Sequence, residues 1–181
     1  MKTPNTVPTA AQVAKILLQF AEEDGVPLTN LHLQKLLYYV QGKALGREKR
    51  KAFSDEIEAW KLGPVVPTIY HMVKNQQDAS IAPEVFHDDS GIDPMQIKFI
   101  ACVWEELRHL SAWGLAAQTH EESPWISAWE HRLTDRHGTA EITEASLTIF
   151  FKPIPHKVSF RGRQITTAPQ EWLDEDDFYE A

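Results

Sequence analysis

Residues 28 to 42 read Leu-Thr-Asn-Leu-His-Leu-Gln-Lys-Leu-Leu-Tyr-Tyr-Val-Gln-Gly, and residues 57 to 67 read Ile-Glu-Ala-Trp-Lys-Leu-Gly-Pro-Val-Val-Pro. The first stretch decides the fold class. Leu33, Leu36, Leu37 and Val40 recur at the spacing of one helical face, and Thr29 stands where a side-chain oxygen caps a first turn. Burying those four side chains is worth roughly 6 to 12 kcal/mol, whereas ordering about 13 residues costs about 1 to 2 kcal/mol each. Such a helix holds only against other helices. With the aliphatic stripe in the core, Lys35, Tyr38 and Gln41 turn toward another surface, and Tyr38 and Tyr39 do not both face one core. The expectation is that at least one of these rings and its hydroxyl point outward, and that the chain frays from Gly42 to Lys51.

In the second stretch Phe53, Ile57, Ala59 and Trp60 fit neither the helical nor the strand period, so residues 53 to 63 are open to a short strand, an irregular segment or a helical turn. Gly63-Pro64 marks a turn, and Pro67 suits the first position of a helix carrying Ile69, Tyr70 and Val73 to about Gln77. Upstream, Val13, Ile16, Leu17 and Phe20 form a stripe over residues 9 to 23, with Thr9 as cap and Gly25 and Pro27 after its end. Downstream, Asp78 to Asp93 reads as a loop. Asp93 and Pro94 then open a long helix with Ile97, Ile100, Ala101, Trp104 and Leu107 on its apolar face. Residues 112 to 121 hold a short helix with Trp113, Leu115 and Ala116. Ser123-Pro124 begins another with Trp125, Ile126 and Trp129, and Thr143 to Phe151 forms a last one with Ala145, Leu147, Ile149 and Phe150. The pattern predicts a mainly all-α fold, a compact single-domain bundle of about six to seven helices. It contains no repeat and no heptads.

At 181 residues with 43% apolar content, six Trp and eight Phe, the chain can bury a substantial core. A formal charge of -8 and a pI near 5.4 argue against direct nucleic-acid binding, which needs a clustered basic surface. A basic protein is the better match. One cysteine makes no internal disulfide, no signal-peptide pattern is present, and no apolar run approaches the roughly 20 residues that span a bilayer. The expectation is a cytoplasmic protein that meets no membrane. After Pro153 the composition changes: Lys152, His156, Lys157, Arg161 and Arg163 make a sparse basic stretch, and residues 171 to 181 carry six acids and no base beside Trp172, Leu173, Phe178 and Tyr179. The division expected is a helical domain over 1–152 and an extended, basic-then-acidic segment over 153–181. Such a tail either orders on a basic, apolar groove of a partner or stays solvated with a few residues pinned to the core.

Eight histidines and 26 acids raise the question of catalysis. The spacings answer against it. The chain has no His-Glu-x-x-His, no Cys-x-x-Cys, no glycine-rich phosphate loop and no Gly-x-Ser-x-Gly elbow. His120-Glu121-Glu122 is the densest cluster, but helical neighbours diverge by about 100 degrees and do not converge on one ion. No metal or cofactor is called for, although His71, His109, His120, His131 and His137 are distant residues that a fold can bring together. Cys102 lies beside an apolar face and reads as a small core residue rather than a nucleophile. Trp104, Trp113, Trp125 and Trp129 read as core. Trp60, between Glu58 and Lys61, either closes the core or anchors a partner.

The pieces Leu28 to Gln41, Ile57-Glu58-Ala59-Trp60 with Gly63-Pro64-Val65 and Tyr70, Thr119-His120 with Pro124-Trp125, and the closing Phe150-Phe151 resemble, in order and spacing, the SocA-like, phage-associated Panacea domain. The resemblance covers roughly residues 10 to 151. It implies an all-helical domain that neutralises a protein toxin encoded nearby, often in a prophage, by direct binding; one branch of the family instead delivers its toxin to a AAA+ protease. On that reading the chain is an antitoxin and not an enzyme. Its partner-binding residues are expected to be Lys35, Tyr38 and Gln41 on the second helix, Glu58, Trp60, Lys61 and Tyr70 around the second stretch, and Trp172, Asp176, Asp177, Phe178 and Tyr179 in the tail. A homodimer is a further assembly to consider. The reading from another class is a hydrolase using His120.

Overall fold

The computed structural model describes residues 7–76, 78–87, 92–132 and 140–153. Helix α1 (Ala10–Glu23) starts with a reciprocal cap: the Thr9 hydroxyl accepts the Gln12 amide N–H, and the Gln12 side chain accepts the Thr9 amide at 2.8 Å. Helix α2 (Asn30–Lys43) is capped by Thr29 as expected. A hairpin follows, β1 (Glu58–Trp60) and β2 (Gly63–Val65), and then α3 (Pro67–Val73) with proline in its first turn. Next come α4 (Pro94–Leu107), α5 (Ala112–Thr119), α6 (Ser123–His131), β3 (Ala140–Glu141) and α7 (Glu144–Phe150). Among the described residues the fold is therefore seven α-helices with one small antiparallel sheet, in the order β2-β1-β3. The mainly α architecture expected from the sequence is the one observed. No helix among the described residues is long and apolar enough to cross a membrane.

Helix α2 is the axis of the bundle. It packs against α1, α3, α4, α5, α7 and β2, and all but one of its residues are buried. A helix enclosed on every side has no outward face, so the expected turning of Lys35, Tyr38 and Gln41 to another surface is overturned. All three are buried, and Tyr38 and Tyr39 are both at 0% exposure. Nor does the chain fray after Gly42. It passes into a π-helical turn, Ala44–Glu48, closed by Lys49 in the left-handed region. The α7 end explains this continuation: the Phe151 ring lies where a Cβ at Gly42 would be, and the Phe151 main chain where one at Gly46 would be. Two glycines a helical turn apart thus make the seat for the last aromatic residue of the bundle.

The ambiguous segment resolves into the hairpin, with β3 added on its far side. Gly63 has φ of 100°, a conformation that side chains rarely tolerate, and a Cβ there would meet Thr119 Oγ1 and Lys35 Cε. The two-residue strand β3 has no local signature, because its pairing with β1 is set by α6 and α7 on either side of it. Three packing expectations also change. The inner face of α4 is Gln96, Ile100, Val103, Trp104 and Leu107, which places Cys102 on the exposed side. On α7 only Leu147 is fully buried, with Ile149 at 76% exposure, since Phe151 rather than Phe150 turns inward. Trp104 and Trp125 are buried, whereas Trp113 and Trp129 are half-buried.

Candidate functional site

The polar side chains of α2 are spent on holding the surrounding chain. Gln34 accepts the Val66 amide at 2.8 Å and donates to Asn30 at 2.9 Å. Gln41 accepts from the Ala52 and Phe53 amides at 2.8 and 3.2 Å and donates to the Phe53 carbonyl at 3.0 Å. Lys43 donates to Glu106 at 2.6 Å. The tyrosine hydroxyls share one buried carboxylate, Tyr38 on Glu122 Oε2 at 2.7 Å and Tyr39 on Oε1 at 2.8 Å, with Gln118 donating at 3.2 Å. Burial raises the Glu122 pKa above the usual carboxylate value, and the three donors and the Lys43 charge work against that rise. Burial first and the Glu122 charge second hold both tyrosines well above the ordinary phenol value. Adjacent tyrosines do face one core here, because a carboxylate from 84 and 83 residues away is brought between their hydroxyls.

Lys35 is wholly buried, and its ammonium donates to the Pro64 carbonyl at 2.9 Å. Desolvation lowers its pKa to about 7. That bond is one of several that fix the hairpin. Trp125 Nε1 donates to the Trp60 carbonyl at 3.0 Å, and His120 Nε2 lies 2.9 Å from the Lys61 carbonyl.

What the hairpin presents is a half-exposed aromatic cluster. The Trp60 ring meets Tyr70 edge-on at 4.8 Å between centroids, and its indole N–H donates to Glu58 at 2.7 Å. His71 and Met72, both exposed, continue the surface along α3. Beyond the hairpin, Trp125 stacks on Trp129 at 5.4 Å, and the Arg132 guanidinium lies 3.5 Å over the Trp129 ring. Of the residues singled out from the sequence, Glu58, Trp60 and Tyr70 come together at this surface, with Lys61 beside them in the hairpin turn. Lys35, Tyr38 and Gln41 lie inside the bundle. Trp172, Asp176, Asp177, Phe178 and Tyr179 fall outside the described residues, as does His137.

Glu122 was not among the expected site residues. In the run His120-Glu121-Glu122 it reads as part of a helix-end polar stretch, and its partners are too distant in sequence to signal a buried role. His71 and Met72 lacked a signal because the α3 stripe of Ile69 and Val73 marks only the inner face. His120 has both ring nitrogens on main-chain carbonyls, Nδ1 being 2.7 Å from Ala116 O and Nε2 2.9 Å from Lys61 O. Among the described residues no group of three or more histidines, cysteines or acids is placed to hold a metal ion.

Residues 33–126, just over half of the chain, match the family described as antitoxin SocA-like, Panacea domain. The chain is also similar to the antitoxin SocA of Caulobacter vibrioides, with 44% identity over 61 residues that make up 34% of this chain and 32% of the relative. It thus spans about a third of the length of that curated relative. No solved structure matches it.

Proposed function

Because the chain belongs to the SocA-like Panacea domain family of antitoxins, we propose that it neutralises a protein toxin by binding it directly, without catalysis. The observation that carries this reading is the aromatic cluster of Trp60 and Tyr70, half-open to solvent, with Trp60 on a hairpin fixed to the bundle through its main chain and Tyr70 on α3 beside it. A large ring held rigidly and left partly uncovered gives contact area at low entropic cost. Glu58, Lys61, Tyr70 and His71 supply its polar rim. The acidic, aromatic tail, with Trp172, Asp176, Asp177, Phe178 and Tyr179, is the second proposed contact, competing for a basic groove on the toxin. The setting is the cytoplasm, and the toxin is the product of a neighbouring gene.

Co-expression with the adjacent gene product, using a tag on this chain, tests the reading through cell growth and the recovered complex. Restored growth with a stable complex supports direct neutralisation. Restored growth with no recoverable toxin points instead to delivery to a AAA+ protease. A neighbour that is not toxic overturns the antitoxin reading and returns attention to a hydrolase, for which loss of turnover on His120→Ala is the requirement.

A further inference from the structure

The main chain of the Trp60 hairpin and of the residue that follows it is gripped at four places between Trp60 and Val66 by side chains of the helical frame. Trp125 holds the Trp60 carbonyl, His120 the Lys61 carbonyl, Lys35 the Pro64 carbonyl and Gln34 the Val66 amide. Two of these groups titrate. His120 is the informative one, because its nitrogens lie 2.7 and 2.9 Å from two carbonyl oxygens, Ala116 O and Lys61 O. Carbonyls only accept, and a neutral imidazole has one N–H. Only the imidazolium donates to both. The ring also packs on Trp125 with centroids 4.1 Å apart, a place that suits a cation.

We propose that His120 and Lys35 are positioning residues that couple the Trp60 hairpin to protonation: the His120 imidazolium ties the hairpin at Lys61 to the end of α5, and loss of its proton releases one of the two carbonyls. The inference rests on the reading of this hairpin as the toxin-binding surface and names how that surface is regulated. Lys35 is the opposing charge. It reaches the same region from α2, since its Cε and Nζ and the Thr119 hydroxyl crowd the same face of Gly63. Burial first, and the Lys35 charge as well, lower the His120 pKa, while the two carbonyls raise it. Burial brings Lys35 itself to about 7, so its charge next to the ring weakens over the same neutral range. The ionisable residues on the adjoining segments include Glu58 and Lys61 on the hairpin, Glu121 and Glu122 after α5, and Glu130 and His131 on α6. Glu122 is taken by Tyr38, Tyr39 and Gln118. The consequence is a hairpin held at all four places in mild acid and, with the remaining ring proton on Nδ1 toward Ala116 O, no longer held at Lys61 as the pH rises.

The test is a long-range proton–nitrogen NMR titration of the full 15N-labelled chain from pH 5 to 8, with His120→Gln used to assign the ring. The expected result is a His120 ring protonated on both nitrogens at the acid end, converting to one tautomer with a midpoint below the ordinary histidine value. The Lys61 amide and Trp60 indole resonances should move with the same midpoint. In Lys35→Met, which keeps the apolar stem and removes the charge, that midpoint should shift upward. In His120→Gln the Lys61 amide and Trp60 indole should lose the step that carries the His120 midpoint, leaving only the part that follows Lys35. A single neutral tautomer from pH 5 to 8, or a His120 titration that leaves Lys61 and Trp60 unmoved, overturns the proposal. These readouts need no toxin. If Trp60 proves irrelevant to neutralisation, the binding reading fails while the titration result stands.

Discussion

The Tyr38 hydroxyl donates to Glu122 Oε2 at 2.7 Å, joining the middle of α2 to the start of α6 across 84 residues of sequence. The same carboxylate takes the Tyr39 hydroxyl on its other oxygen. This bond lets two neighbouring tyrosines share one interior and fixes the α5–α6 turn on the central helix. Tyr38→Phe leaves a buried carboxylate one donor short, and the expected cost is about 1.5 to 3 kcal/mol, measured by urea denaturation at neutral pH. The deficit should shrink as the pH falls, because protonated Glu122 needs fewer donors and its pKa is already raised by burial. A variant as stable as wild type at neutral pH would mean that the hydroxyl contributes nothing.

Gly42 and Gly46 both seat Phe151, but against different atoms. At Gly42 an added Cβ meets the carbons of the Phe151 ring, and at Gly46 it meets the Phe151 main-chain carbon and oxygen as well as its Cβ. Each glycine-to-alanine change should cost at least the roughly 1 to 3 kcal/mol typical of overpacking. Truncation of the ring then separates them. In the Phe151→Ala background, Gly42→Ala should become nearly neutral, while Gly46→Ala should keep most of its cost. Equal rescue at both positions in thermal melts would contradict this seating.

His32 is buried, and its Nε2 has no hydrogen-bond partner. Burial lowers its pKa to about 4, with a main-chain contact at Leu110 partly opposing the shift. The unfolded chain takes up that proton near pH 6.5, so the depressed folded value stabilises the protein above 6.5. The stability is lost as the pH falls toward 4, by about 3 kcal/mol in all. His32→Leu should flatten this fall and, by removing an unpaired buried nitrogen, raise the urea midpoint at pH 7. Identical pH slopes for the two proteins between pH 7 and 4.5 would remove His32 as the cause.

The helices were legible because their signals are local. Thr9 and Thr29 cap where expected, Pro67 and Pro94 stand in first turns, and Val13 and Leu17 of α1 and Ile69 and Val73 of α3 are buried as their stripes imply. The character of α2 was not legible, since periodicity gives the most apolar face but not whether neighbours enclose the remaining ones. Lys35, Gln41 and Tyr38 are buried polar groups whose partners, Pro64, Phe53 and Glu122, lie 29, 12 and 84 residues away. Of the expected site, the part on the hairpin and α3 comes together because Glu58, Trp60 and Tyr70 are near in sequence and β1 leads through a tight turn and β2 into α3.

Trp60 and Trp104 separate surface presentation from packing. Trp104 is 2% exposed, and its indole N–H donates to Asp24 at 2.7 Å, so Trp104→Ala should cost the roughly 3 to 5 kcal/mol of a large core truncation. Trp60 is half-buried, with Tyr70 and His71 edge-on to its ring. The bonds that fix its segment go to main-chain atoms of Trp60, Lys61 and Pro64, which survive truncation of the side chain. Trp60→Ala should therefore lower the melting temperature distinctly less than Trp104→Ala and yet weaken protection of cells that express the toxin. The comparison is made at matched expression, with folding checked by circular dichroism. A Trp60→Ala protein that is folded and fully protective would place the toxin contact elsewhere, whereas loss of stability equal to Trp104→Ala would make Trp60 a core residue.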